Sequence, residues 1–398
     1  MTAGEVDMMD DLRIGVIGYG MRGGLSKHAH TPGQGSRVTV VAEPTQRGKD
    51  DARKALGDDI VLVDGVDEML GRDDVDAVMV LTPDHAHASV ALKTLAGGLP
   101  TFVEKPMGIT IEQCDQMLAA AMTHRTRLYI GHNMRHMPVV RQMKQIIDSG
   151  EIGRVRAVWT RHFVGTGGDF YFKDWHAERA RTTSLLLQKG AHDIDVIHWL
   201  AGGYTRRVSG VGDLMVYGDI TDRRDNSDRR MWDWYSTDNW PPTAQTELNP
   251  VIDVEDISML QMQLDNGVLA SYEQCHFAPD YWRNYTVIGD AGRIENMGDG
   301  GGEQIHVWTS RRGGPGRPDR VEVIDRGDGG HAGADPNLVA EFVRFAREGG
   351  RTDVSAVAAR EAVATGCRGT DSIRSGGGVL EVPMLDDRTR EWFDSGQG

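Results

Sequence analysis

The run Arg13-Ile-Gly-Val-Ile-Gly-Tyr-Gly-Met-Arg-Gly23 limits the possible folds of this chain more than any other stretch. A short apolar β-type segment runs straight into Gly18-x-Gly20-x-x-Gly23. The next β-type segment, Val38-Thr-Val-Val-Ala-Glu43, ends in a carboxylate. A glycine triplet alone is a weak signal, but between a strand and a helix, with an acid closing the following strand, it is the fingerprint of a dinucleotide site. Gly18 permits the tight turn, Gly20 lets the backbone approach a pyrophosphate, and Gly23 lets strand and helix pack closely. The helix N-terminus supplies amides and partial positive charge, with Met21 and Arg22 inside the same loop. Glu43 would accept from both hydroxyls of the adenosine ribose and repel a 2′-phosphate, which favours NAD. Arg47, four residues on, could bond such a phosphate, so NADP stands second.

From Leu12 to about Ile130, short β-rich runs alternate with amphipathic ones, which predicts a parallel, doubly wound α/β sheet of the Rossmann type. After Asn133 the character changes. A helical run from Met137 and another from Thr182 to Gly203 flank β-branched and aromatic segments, several of them hairpin-like, with Asn266-Gly267 as a turn signal. This predicts an α+β second domain on a large, mostly antiparallel open sheet, with the division at 1–132 and 133–398. Segments 218–250, rich in Asp, Arg and Trp, and 296–336, rich in Gly, Asp and Arg, read as insertions or lid-like loops.

Composition narrows the partners. A formal charge of −15 with no long basic run disfavours nucleic acid and anionic membranes. Cys114, Cys275 and Cys367 lie far apart without metal-ligand spacing, so neither a disulfide framework nor a metal site is expected. Residues 1–15 carry acids where a signal peptide carries bases, and no apolar run is long enough to span a bilayer, so a cytoplasmic location is expected.

Beyond the glycine turn, the chain carries Thr82-Pro83-Asp84-His85-Ala86-His87, Glu104-Lys105-Pro106, Asn133-x-Arg135-x-x-Pro138 and Lys189-Gly-Ala-His192-Asp-Ile-Asp195-x-x-His198. With these motifs the chain resembles the Gfo/Idh/MocA oxidoreductases over nearly its whole length. The resemblance implies that Lys105 and His192 are catalytic, with Lys105 beside the nicotinamide and His192 taking the hydroxyl proton. It places Gly18, Gly20, Met21, Arg22, Glu43, Thr82, His87, Glu104, Lys105 and Asn133 around the cofactor. Pro106 is expected to hold the preceding bond cis. The chemistry of the residues agrees: an ammonium steadies a developing alkoxide, and an imidazole titrates near working pH. Many relatives carry an aspartate four residues before the histidine; here that position is Gln188, which cannot take a proton but can bond a sugar hydroxyl.

Arg135, His136, Arg161, Trp175, His176, Gln188, His192 and Asp195 are the candidate substrate contacts, with His162, Tyr171 and Arg179 nearby. Asp195, three residues after His192, is expected to orient that ring or bond the substrate, whereas His198 fits a packed position. The expected function is NAD-dependent oxidation or reduction at a hydroxyl carbon of a sugar derivative, in a homodimer or homotetramer. The alternative is an NAD-dependent glycosidase, acting by transient oxidation, elimination, water addition and re-reduction, on an anionic, acidic or sulfonated glycoside.

Overall fold

The computed structural model describes residues 10–312, 316–327 and 333–397. Most of the N-terminal stretch read above for a signal peptide falls at 1–9, outside the described residues. So do 313–315 and 328–332 of the Gly-rich segment.

Strands β1 (Leu12–Ile17), β2 (Ser36–Ala42), β3 (Val61–Val63), β4 (Ala77–Val80), β5 (Thr101–Val103) and β6 (Leu128–Ile130) form one parallel sheet in the order β3-β2-β1-β4-β5-β6. The order reverses between β1 and β4, so a crevice opens at the carboxyl ends of these two strands. Alternation along β4 shows why the sheet needs cover on both sides. Val78 and Val80 pack with Leu95 and Leu118, while Ala77 and Met79 face the opposite cluster, which holds Phe102, Tyr129, Phe342 and Phe345. A parallel strand buried on both faces therefore reads as a continuous apolar run. Helix Ala334–Glu348 supplies Phe342 and Phe345, so the chain returns to the first sheet near its end. Helix Ala356–Arg374 faces both ways: Val357 and Val363 pack with the parallel sheet, Ala362 and Ala364 with the second core.

The second sheet contains β7 (Val155–Phe163), β8 (Thr205–Asp213), β9 (Ile257–Leu264), β10 (Leu269–Cys275), β11 (Trp282–Gly289), β12 (Arg293–Met297), β13 (Gln304–Trp308), β14 (Arg320–Val323) and β15 (Leu380–Glu381), in the order β14-β13-β12-β11-β7-β10-β9-β8-β15. Only β7 and β10 pair parallel; the other pairs are antiparallel. The β9–β10 turn uses Gly267 at φ +85°, as the Asn-Gly signal requires. Helix Gly190–Ala201 covers the inner face of this sheet. The helical run read as one element from Thr182 breaks at Lys189, into Leu185–Gln188 and Gly190–Ala201. Gly190 lies so near the sheet that an added Cβ would stand 2.9 Å from the Tyr272 ring.

The segment 296–336 is not one loop. Its alternating Ile305 and Val307 point into the core, and β13 and β14 extend the sheet. By contrast, 218–250 carries no strand and is held by short 3-10 turns, including Met231–Asp233 and Pro242–Ala244.

Candidate active site

The glycine turn has the stereochemistry its sequence demands. Gly18 adopts φ +87°, and a Cβ there would lie 3.0 Å from Leu81 O and Thr82 N. A Cβ on Gly23 would meet the Tyr19 ring at 2.8 Å, whereas one on Gly20 would meet nothing within 4 Å. Gly20 thus faces open space, where a pyrophosphate can approach the backbone. Glu43 follows β2 and reaches back to this turn, accepting from Tyr19 N at 2.7 Å and from Thr45 N and Oγ1. Gly turn, crevice and carboxylate fit a dinucleotide, with Met21 exposed at the rim.

At the other end of the crevice, Lys105 leaves β5 through a cis Lys105–Pro106 bond, and its Nζ donates to Gln188 O at 3.3 Å. Burial lowers the Lys105 pKa, opposed by Asp84 and Glu104. Burial also holds His192 well below its ordinary value, and the charge of Lys105 adds to this. The ring of His132 lies 6.0 Å from that of His192. The charge of Lys105, just past β5, is therefore felt by His192 on the helix under the second sheet. Gln188 lies beside Lys105, and its buried Oε1 has no hydrogen-bond partner among the described residues. Trp175 and His176 join the group: their rings stack at 3.7 Å, Trp175 meets His85 edge-on, and His176 acts on Asp84. Tyr171 lies against His176.

Six expected contacts have partners within the chain or face away from the crevice. Arg135 and Asp195 satisfy each other in a buried bidentate pair, at 2.7 and 2.6 Å, with His132 Nδ1 3.3 Å from the carboxylate. Asp195 therefore does not orient His192, and Arg135 offers no free fork to a substrate. His136 is buried against Glu341 at 3.5 Å, on the side of helix Ala334–Glu348. Arg161 is exposed on the outer face of β7, because strand alternation turns His162 inward instead. Arg22 is pinned to Glu104 and Asp335, so its side chain braces the glycine turn rather than reaching outward. His87 bridges Thr82 O and Pro106 O with its two ring nitrogens and is scaffold. Among the remaining cofactor candidates, Asn133 donates to Asp335 at 2.8 Å, while the buried Thr82 Oγ1 has no partner among the described residues. Arg179 lies outside the cluster, near Glu255. His198 is packed as expected, with Nε2 on Thr205 Oγ1 at 2.8 Å.

Four residues with no assigned role emerge beside these. Asp84 is fully buried, accepts from Thr182, and acts on Lys105 at the end of the adjacent strand; burial pushes its carboxyl up. Asp193 accepts from Tyr272 OH, contacts His162 Nδ1 at 3.1 Å and Arg283 Nε at 3.0 Å, and takes a short bond from Tyr285 OH. Burial would raise Asp193, but Arg283 and His162 outweigh burial and hold it low. Arg283 on β11 is buried beside it. Lys189 lies 6.0 Å over the Tyr171 ring, and burial, with Arg283 and Lys105 nearby, lowers it to about 7. Asp84 stood within the Thr82–His87 motif and Asp193 beside His192, so adjacency to assigned residues was the signal available for both.

A doubly wound dinucleotide sheet joined to a large, mostly antiparallel second sheet is the architecture of a nicotinamide oxidoreductase. The chain belongs to the GFO/IDH/MocA family: residues 12–132 match the oxidoreductase family NAD-binding Rossmann fold, and 140–295 match the GFO/IDH/MocA C-terminal domain. It is 33% identical over 196 residues to inositol 2-dehydrogenase of Ralstonia nicotianae (strain ATCC BAA-1114 / GMI1000), covering 48% of this chain and 55% of that one. To 2,7-anhydro-N-acetylneuraminate hydratase of Mediterraneibacter gnavus (strain ATCC 29149 / DSM 114966 / JCM 6515 / VPI C7-9) it is 26% identical over 246 residues, 58% of this chain and 64% of that one. The match thus spans about half to two thirds of these two relatives. The fold is also that of levoglucosan dehydrogenase in complex with NADH and levoglucosan, at a TM-score of 0.77, 19% identity and coverage of 94% and 100%.

Proposed function

We propose that this protein is an NAD-dependent oxidoreductase acting at a hydroxyl-bearing carbon of a sugar or sugar derivative. Glu43 holds the adenosine ribose, Gly18 to Arg22 present their backbone to the pyrophosphate, and Thr82, Glu104 and Asn133 border the nicotinamide end. When bound, NAD supplies a hydride acceptor at nicotinamide C4. The chain's own residues manage the oxygen. Protonated Lys105 donates to the reacting hydroxyl and steadies alkoxide character, and neutral His192 takes the proton. Gln188, Trp175 and His176 position the ring, and Asp84 supports the charge of Lys105.

The observation that carries this reading is that Lys105 Nζ, just past β5, reaches Gln188 O at 3.3 Å, in the turn before the helix of His192, whose pKa the lysine charge lowers. A panel of neutral, acidic and sulfonated sugars with NAD, read as NADH absorbance, tests it. Lys105→Met is expected to lower kcat by about 10²-fold or more while NAD affinity stays as in the parent. Unchanged turnover would place the chemistry elsewhere.

A second reading is favoured by Gln188, by the half-buried Lys189 and the buried cationic Arg283, and by a relative named as a hydratase. In it the same oxidation is transient and the enzyme cleaves an anionic glycoside by elimination, water addition and re-reduction. Hydrolysis of a nitrophenyl glycoside with no net NADH distinguishes it from stoichiometric NADH formation.

A further inference from the structure

The segment joining β8 to β9 does more than cover the second sheet. Its root is fixed by Asp256, whose carboxylate accepts from the amides of Met215, Val216 and Tyr217. Its middle is fixed at Asp169, whose carboxylate accepts from Asn239 and Gln245 and whose carbonyl takes Trp234 Nε1. So anchored, its tip at Met231–Asp233 reaches the first sheet's helix Gln46–Leu56. Asp233 grips Arg47 with both oxygens, at 2.6 and 3.0 Å, and Arg230 bonds Asp51 one helical turn further on.

This clasp lies where dinucleotides are told apart. Arg47 sits in the first turn of the helix, next to Gly48, and a Cβ on Gly48 would stand 2.5 Å from the Glu43 carboxyl carbon. A guanidinium at that place is the group able to pair a 2′-phosphate, and its fork is already filled by a carboxylate of matching geometry. The occupying group is itself an anion, so it would also repel a phosphate arriving there. Asp233 further accepts from Arg230 N at 2.8 Å, which fixes its direction.

We propose that Asp233 is a cofactor-selectivity residue: by holding Arg47 from across the crevice, it denies the 2′-phosphorylated dinucleotide its cationic partner and makes the chain selective for NAD. This rests on the reading that Glu43 receives the adenosine ribose. The arrangement would let a chain with both Glu43 and Arg47 avoid dual specificity. The acid selects against the phosphate directly, and the strap cancels the base that would offset it.

The test is the affinity of the full chain for NAD and NADP, by calorimetry, in the parent, Asp233→Asn, Asp233→Ala, Arg47→Ala/Asp233→Ala and Glu43→Ala. Asparagine keeps the shape and the bond from Arg230 N but releases the charge on Arg47. Both Asp233 variants are expected to bind NADP about two- to fivefold tighter, one exposed ion pair's worth, with NAD unchanged, and the double variant to lose the gain. If Glu43→Ala weakens NAD while the Asp233 variants leave the NADP/NAD ratio unmoved, the inference is overturned and the ribose reading survives. If Glu43→Ala leaves NAD binding intact, the ribose reading falls and takes the inference with it.

Discussion

A histidine that must accept a proton at neutral pH has to be neutral before the substrate arrives, and the surroundings of His192 bring this about. Burial is the largest influence, then Lys105, with His132 and Lys189 acting in the same direction. Each disfavours imidazolium, so the base stays competent to well below the pH at which a free histidine protonates. For hydroxyl oxidation, kcat/KM should therefore hold its plateau through pH 6.5 and fall only at more acid pH, as His192 takes a proton. Lys189, lowered to about 7, is charged throughout that acid range and helps keep the limb low. Lys189→Met removes this charge, so the His192 pKa rises and the acid limb of the profile moves to higher pH. A limb that stays in place would show that Lys189 does not face His192 electrostatically. His192→Asn should cost about 10²–10⁴-fold in kcat and abolish the limb, as read from initial rates across pH.

Helix Gly190–Ala201 carries two consecutive residues with opposite duties. His192 faces the first sheet, while Asp193, about 100° round the helix, faces the second and gathers Tyr272, Tyr285, His162 and Arg283. These partners come from β7, β10 and β11, so one carboxylate fixes the helix to three strands and sets the direction of His192. Removing it leaves Arg283 buried, with Asp299 at 3.5 Å as its remaining carboxylate partner. Asp193→Ala should cost about 3–5 kcal/mol of stability in urea unfolding, and a loss under 1 kcal/mol would show that the cluster does not hold the helix. The same element marks where sequence reading succeeds and fails. The glycine turn, Glu43, the strand ending in Lys105 and the placement of His192 were legible because each is a contiguous pattern with one local geometry. Asp193 and Arg283 were not, since their pairing spans 90 residues and depends on sheet register. Arg161 and His162 show the same limit: two polar neighbours on a strand give no clue to which faces inward. Asp195 was assigned to His192 by helical spacing, but a guanidinium from another element, Arg135, outcompeted the neighbouring ring.

At the scale of the molecule, the inner face of the second sheet is spent on the helix that delivers His192, and its outer face is left uncovered by the described residues. Alternation puts Trp159, Met259, Val211 and Leu269 outward on β7, β9, β8 and β10, with Trp159 55% and Leu269 58% exposed. The register brings Arg161 and Glu273 opposite one another beside them, and Met259 beside Val211. Apolar centres interleaved with paired charges across a broad sheet suit burial against a like surface, because a twofold axis sets residue i against residue j and j against i, so each contact across the seam is made twice. We propose that a second copy of the chain covers this face, giving a homodimer or, by a further contact, a homotetramer. In light scattering during gel filtration the parent should elute at two or four times 43.8 kDa. Trp159→Glu, on the central strand of the nine-stranded sheet, buries an unpaired charge in the interface and should shift the mass to that of one chain, with NAD affinity retained because the crevice lies on the far side of the sheet. A parent that elutes as one chain at micromolar concentration, or a Trp159→Glu variant that keeps the parent's mass, would remove this face from the assembly.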